Sequence, residues 1–311
     1  MIVPSKNDTW FSLLFRIQGT IFLQIKYRIL SVVLLSVIVS YVHEIHFVEE
    51  TFFSVTPFSL IGLALSIFLG FRNNTSYDRF WEGRKLWGGL INNSRTTARR
   101  IDNFISPAGT EETRKSLIYQ TIAYIHCLRM HLRNEWHPEQ LQDFLSKEQI
   151  EALTPQLNKP IALLHLIGKQ FQALHQEKLV NTYHLPLLED ALTQFANLQG
   201  GCERIKATPI PFSYNVLLHR IVAIYCFSLP FGLVSITGWG TPLVTALFGY
   251  AFLGIDAIGT EIEEPFGYDQ NDLPLDALTT MIEVNLREQL GERGDLLPAL
   301  KKPDSKTDVL T

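Results

Sequence analysis

The stretch Pro57-Phe-Ser-Leu-Ile-Gly-Leu-Ala-Leu-Ser-Ile-Phe-Leu-Gly-Phe-Arg-Asn73, continuing without a break into Tyr77-Asp-Arg-Phe-Trp81, decides the fold. From Val55 to Phe71 there is no charged side chain over 17 residues. At 1.5 Å per residue that is roughly 25 Å of helix, most of a ~30 Å hydrocarbon layer. At Arg72 the character changes to that of a helix in water. Leu63, Ile67 and Phe71 stand four apart and stack on one face, while Gly62, Ser66 and Gly70 stack on a neighbouring one. Small residues let a second helix approach closely in lipid; a bulky stripe must face a core, lipid or the axis of an oligomer. The expectation is the axis.

Outward from this stretch the balance of charge gives an orientation. The segment 43–54 before it holds Glu44, Glu49 and Glu50 and neither Lys nor Arg, whereas residues 72–133 carry 11 Lys and Arg against 5 Asp and Glu. The basic side is expected to be cytoplasmic. Phe80, Trp81, Leu86, Trp87, Leu90 and Ile91 continue at helical spacing, so one long helix is predicted to run toward Ile105 and stop at Pro107-Ala-Gly109. Upstream, 1–28 mixes Trp10, Phe11, Phe15, Phe22 and Tyr27 with Lys6, Arg16, Lys26 and Arg28, the composition of an interfacial segment. The apolar run 29–42 reads as a first span, short unless 25–27 are added at its base; a buried core helix is the competing reading.

Downstream, amphipathic cytosolic helices are expected at about 112–133, 139–150, 159–179 and 186–205. Prolines 138, 155, 160 and 186 stand at their breaks, and Ser146 with Gln149 forms a capping-box pattern. The run 212–235 reads as a third span interrupted by Pro230, and 243–258 as a fourth with Asp256 near its inner end. Four spans place both termini in the cytoplasm. Residues 261–274 form an acidic turn, 275–290 a helix, and the charged tail from Gly291 a disordered segment. The chain thus divides into 1–28, spans in 29–71, a cytosolic region 72–210, spans in 211–260, the acidic turn and helix 261–290, and the tail 291–311. The fold class is all-α and integral to a membrane.

Composition agrees with a mixed membrane and cytosolic protein: of 311 residues 46% are hydrophobic and only 19% charged, with a net charge of -4 and a mean hydropathy of +0.09. No basic tract interleaved with aromatics points to nucleic acid. Three cysteines without a C-x-x-C pair argue against a disulfide framework and a structural zinc. No Gly-rich phosphate loop, nucleophile elbow or H-E-x-x-H motif is present, so an enzyme is the least favoured class. His43 and His46 lack a third ligand and read as a solvated loop, and His126 and His131 fall on different helix faces. Arg220 and Asp256 lie in or beside apolar runs, where a charge is expensive unless paired, lining water or at the membrane boundary. Glu261, Glu263, Glu264, Asp269 and Asp272 supply oxygen enough for calcium, but not at EF-hand spacing; the simpler reading is a hydrogen-bonded turn whose carboxylates cap the next helix. Gly200-Gly201 reads as a helix end or bend that permits close packing.

Taken together, Pro57-Phe-Ser-Leu through Phe71-Arg-Asn, Arg79-Phe-Trp81 with Trp87, Gly200-Gly-Cys-Glu-Arg204 with Thr208-Pro-Ile-Pro-Phe212, and Glu264-Pro-Phe-Gly267 with Asn271-Asp-Leu-Pro274 resemble the bestrophin family, more closely its bacterial branch. The resemblance implies a homopentameric channel for small inorganic ions in a lipid bilayer, with four transmembrane helices per subunit and one axial pore. It places a hydrophobic neck on Leu63, Ile67 and Phe71. It also implies a second constriction at the cytosolic exit, which falls among Asn181, Thr182, Tyr183 and His184, where the alignment slips and the family's apolar residue is not plain. Animal members bind calcium after the Pro-Phe-Gly corner; here Glu264, Asp269 and Asp272 remain, while Tyr268, Gln270 and Asn271 replace the rest, so no cofactor, calcium included, is expected. Animal members pass anions and bacterial relatives are associated with monovalent cations, so the sign of the ion stays open. A membrane-anchored, non-conducting oligomer for sensing or protein interaction is the reading from another class.

Overall fold

The computed structural model of the chain describes residues 9–17, 19–46, 54–106 and 111–292. Glu49 and Glu50 of the acidic segment, the Pro107–Gly109 stop and the tail from 293 lie outside them. All the regular elements described are helices: α1 (Trp10–Leu14), α2 (Phe22–His46), α3 (Val55–Phe104), α4 (Glu111–Leu132), α5 (Lys147–Leu153), α6 (Lys159–Gln176), α7 (Leu185–Ala207), α8 (Phe212–Thr237), α9 (Thr241–Glu261) and α10 (Leu275–Gln289), with 3₁₀ turns at Pro138–Leu141 and Gly238–Gly240. Strand pairing among the described residues is a single isolated bridge between Ile105 and Val180.

α3 is the spine. Its 50 residues follow the N-cap Ser54, whose hydroxyl accepts the Thr56 N–H at 3.3 Å. Pro57 sits in the first turn, where a missing N–H leaves no bond unmade. After that no proline interrupts it, and it spans roughly 75 Å at 1.5 Å per residue. Against its first third pack α8 and α9, and α2 packs in turn on α9 and α8; Ile25, Leu65, Leu69, Val222 and Leu229 meet in a small core. Around its remainder pack α4, α7 and α10 over a much larger core that includes Trp87, Ile101, Tyr124, Phe171 and Phe195. Three stretches are apolar and long enough to cross a membrane, in Phe22–Ile45, Val55–Phe104 and Phe212–Glu261. The last is two helices, α8 and α9, joined by the Gly238–Gly240 turn.

Several expectations are corrected. The expected helix at 139–150 is a 3₁₀ turn followed by a separate α5, because the Ser146 capping box starts a new helix inside that window: Ser146 Oγ accepts the Gln149 N–H at 3.3 Å and Gln149 returns a bond to the Ser146 N–H at 3.0 Å. Pro230 does not interrupt α8, which runs through it; proline deletes one ladder bond but leaves the packing of the apolar flanks intact. Gly200 and Gly201 do not end α7, which runs through them to Ala207. They do allow close packing, since a Cβ on Gly201 would lie 2.7 Å from the Leu86 Cδ2 of α3. His43 and His46 belong to the last turn of α2, not to a loop.

Candidate functional site

The first third of α3 has two unlike faces. Gly62, Leu65, Leu69, Arg72 and Ser76 are buried, at alternating three- and four-residue spacing against α8 and α9. Leu63, Ile67 and Phe71 are 63%, 52% and 62% exposed. At about 100° per residue the centres of the two sets lie about half a turn apart. The stripe therefore points straight away from the rest of the protomer. The neighbouring small stripe splits. Gly62 abuts the Tyr225 hydroxyl of α8, whereas Gly70 has open space beside it and Ser66 is exposed.

What holds the helix in this rotation comes directly after Phe71. The Arg72 side chain is fully buried; its guanidinium meets the Asp256 carboxylate at 2.5 Å, the Asp256 carbonyl at 3.2 Å and the Thr260 hydroxyl at 2.5 Å. Asp256 is held from its other side by His219 Nδ1 at 2.6 Å. Asn73 adds a bond to the Ile255 carbonyl at 3.0 Å. A buried charge of either sign is tolerated in such surroundings when the opposite charge and further hydrogen bonds saturate it. Asp256 is thus paired, while Arg220, its companion in the sequence reading, is exposed.

At the far end of α3, Asn181, Thr182 and Tyr183 form an exposed turn between α6 and α7, with Tyr183 85% exposed. The Asn181 carboxamide accepts the Tyr183 N–H at 2.9 Å. His184 stacks on Phe104, the last residue of α3, with ring centroids 4.2 Å apart. The turn is therefore fastened to the same helix that carries Leu63, Ile67 and Phe71.

The acidic turn is held by backbone amides. Glu263 accepts the Ile210 N–H at 2.9 Å, Glu261 accepts the Asn271 N–H at 3.3 Å, and Asp272 accepts the Asp269 N–H at 2.8 Å. These carboxylates cap the loops on either side and not the next helix; α10 begins at Pro274 without a side-chain cap. Glu264 is exposed. Burial pushes the Asp272 carboxyl up to about 7, with one of its oxygens left unpartnered. Among the described residues no three His, Cys, Asp or Glu side chains converge in a manner suited to a metal ion.

Two arginines organise this corner, the first of them also part of the Arg79-Phe-Trp81 segment of the family resemblance. Arg79 donates to the carbonyls of Glu263 at 3.0 Å, Ile205 at 2.6 Å and Thr208 at 2.5 Å. Arg133 donates to the carbonyls of Phe266 and Gly267 and to Asp276, and stacks over the Tyr268 ring at 4.0 Å. The charge run had marked them only as cytoplasmic; backbone-carbonyl partners leave no trace in residue identity. Burial holds the Cys127 and Cys202 thiols up to about 12, so neither is a reactive thiolate.

The model for bacterial and fungal bestrophin proteins matches residues 1–288. The chain belongs to the bestrophin family. A crystal structure of a bacterial bestrophin homologue from Klebsiella pneumoniae superposes with a TM-score of 0.83 at 34% identity, covering 87% of this chain and 100% of that one. Among relatives of this bestrophin, a voltage-dependent anion channel-forming protein of Mesorhizobium japonicum is 41% identical over 250 residues, 80% of each chain. The voltage-dependent anion channel-forming protein YneE of Salmonella typhi is 34% identical over 306 residues, 98% of this chain and 99% of its own length. Family, relatives and exposed apolar helices together identify a membrane protein of the ion-channel class and point away from an enzyme.

Proposed function

We propose that this bestrophin is a passive ion channel of the bacterial inner membrane, in which five copies enclose one axial pore. α2, the first third of α3, α8 and α9 cross the bilayer and both termini lie in the cytoplasm. The observation that carries the reading is the apolar stripe Leu63, Ile67 and Phe71, exposed on the side of α3 opposite to its packed face. Repeated around an axis, it makes a hydrophobic neck that gates by dewetting, because its wall offers an ion nothing in place of lost water. The turn Asn181–His184, held at the other end of α3, forms the cytosolic exit. The relatives named for anions support a small monovalent anion such as chloride. Glu44 near the outer mouth favours monovalent cations only weakly, since exposed charges are screened within about 8 Å at physiological salt. Amide hydrogen bonds already occupy Glu261, Glu263 and Asp272, which supports operation without calcium.

Planar-bilayer recording under asymmetric potassium chloride tests this. Stepwise currents reversing near the chloride potential, unchanged by a calcium chelator, are expected. Reversal near the potassium potential would change the sign of the ion. A stable pentamer that stays silent at every voltage would leave the membrane-anchored oligomer for sensing or interaction.

A further inference from the structure

Where the apolar helices end, a cavity of about 380 Å³ opens between the start of α2, the first turns of α8, the end of α9 and the acidic turn. Its polar lining is Gln24, Arg28, His219, Thr260, Glu261 and Asp269, over a floor that includes Ile25. The charges are mixed: one guanidinium, two carboxylates. Glu261 is fixed in place by Gln24 at 3.2 Å and by Asn271, through its N–H at 3.3 Å and its amide at 3.0 Å. The Arg28 and Asp269 side chains, by contrast, have no hydrogen-bond or ion-pair partner among the described residues, and His219 has engaged only Nδ1. Beside the lining residues, Leu23, Tyr27 and Ile258 are 43%, 73% and 44% exposed. The cavity is thus a charged niche bordered by apolar surface at the boundary between apolar and charged chain.

We propose that this cavity binds the phosphoethanolamine headgroup of a membrane phospholipid. The phosphate meets Arg28, which offers five N–H donors; the ammonium, with three N–H donors and no acceptor, meets Glu261 and Asp269; the acyl chains follow the exposed apolar flanks of α2 and α9. Charge selects this headgroup. Basic pockets at the ends of transmembrane helices suit anionic lipids, but a purely anionic headgroup here would set its phosphate against two carboxylates. A choline headgroup balances the charges but has no N–H to give to Glu261 or Asp269. Binding does not depend on conduction, so the proposal stands or falls apart from the channel reading.

The test reads lipid retention. Purified full-length protein is equilibrated with equimolar phosphatidylethanolamine, phosphatidylcholine and phosphatidylglycerol, and the lipid that remains bound is counted by native mass spectrometry. Phosphatidylethanolamine is expected to be retained several-fold over the other two, and Arg28→Gln and Asp269→Asn each to bring it down to their level. Both side chains are exposed and without partners, so these variants keep the fold. Equal retention of the three lipids, a preference for phosphatidylglycerol, or retention unchanged in both variants would overturn the proposal. In lipid-free protein, soluble phosphoethanolamine at the same concentration is expected to stay unbound; binding that depends on Arg28 and Asp269 would reassign the niche to a free zwitterion and overturn the lipid.

Discussion

Along Leu60–Phe71, α3 exposes Leu60, Ile61, Leu63, Ile67, Phe68 and Phe71 and buries Gly62, Leu65 and Leu69; along Trp87–Ile101 it buries Trp87, Leu90, Ala98 and Ile101 and turns Arg95 and Arg99 outward. The two segments share one backbone and one helical period. They differ in what lies on the far side of the helix. The second is a water-exposed helix with an apolar stripe toward a core. The first is apolar nearly all round, so its outward face needs an apolar neighbour, lipid or copies of the same chain, that the protomer alone does not supply.

The sharpest way to break this contrast is to polish away the first segment's outer stripe. Replacing Leu63, Ile67 and Phe71 together by Ala is expected to raise single-channel conductance in planar bilayers on the order of tenfold, the change that follows from removing ~1.4 kcal/mol of barrier. Unchanged conductance would place the neck elsewhere. Next in size is the clamp behind the stripe. Arg72→Met leaves Asp256 buried with only His219 beside it and should lower the unfolding free energy of the detergent-solubilised protein by about 3–5 kcal/mol. Glu82→Gln, which breaks the exposed pair with Arg204 in the water-facing segment, should change it by less than ~1 kcal/mol. Equal losses would erase the difference between the two segments.

Titration probes the corner where α3 meets the acidic turn. Asp272, raised from 3.8 to about 7 by burial, favours its neutral form in the folded protein. Its contribution is therefore fully present below the unfolded value and is lost as pH rises through about 7. Wild-type thermal stability is expected to fall between pH 5 and pH 8, and Asp272→Asn to flatten that fall; an unaltered slope in the variant would reject the assignment. The smallest effect sharpens the packing of the second segment. Gly201→Ala pushes a methyl into Leu86 and should destabilise by about 1–3 kcal/mol. Gly200→Ala, with open space beside it, should be neutral or stabilise by up to ~1 kcal/mol. Chemical denaturation of the pair reads both.

Much of this architecture was legible because it is periodic. Leu63, Ile67 and Phe71 declare themselves at a spacing of four, and the same regularity carries α3 to Phe104 without a turn signal. The resemblance in the Pro-Phe-Gly and Gly-Gly-Cys segments named the family. What stayed hidden is non-local. Arg72 read as the first charge of the cytosolic side, yet it is buried against Asp256, 184 residues away. No local pattern announces such a pair. The contacts of Arg79 and Arg133 escaped for a related reason, since most of their partners are backbone carbonyls, which every residue has. Pro230 misled in the opposite direction: a strong local stop signal is overridden by packing on both sides. The turn at Asn181–His184 has no periodicity to align it, and its place beside Phe104 emerges only when α6 and α7 are folded.

A helix of 50 residues with no proline after its first turn behaves as a drive shaft roughly 75 Å long. Torque applied at Phe104, where His184 rests, has no joint in which to dissipate before it reaches Phe71. The bearing at that end is Arg72 with Asn73, held to α9 through Asp256, Thr260 and the Ile255 carbonyl, with His219 bracing Asp256 from its other side. The stripe at one end and the Asn181–His184 turn at the other are in this sense mounted on one unbroken helix.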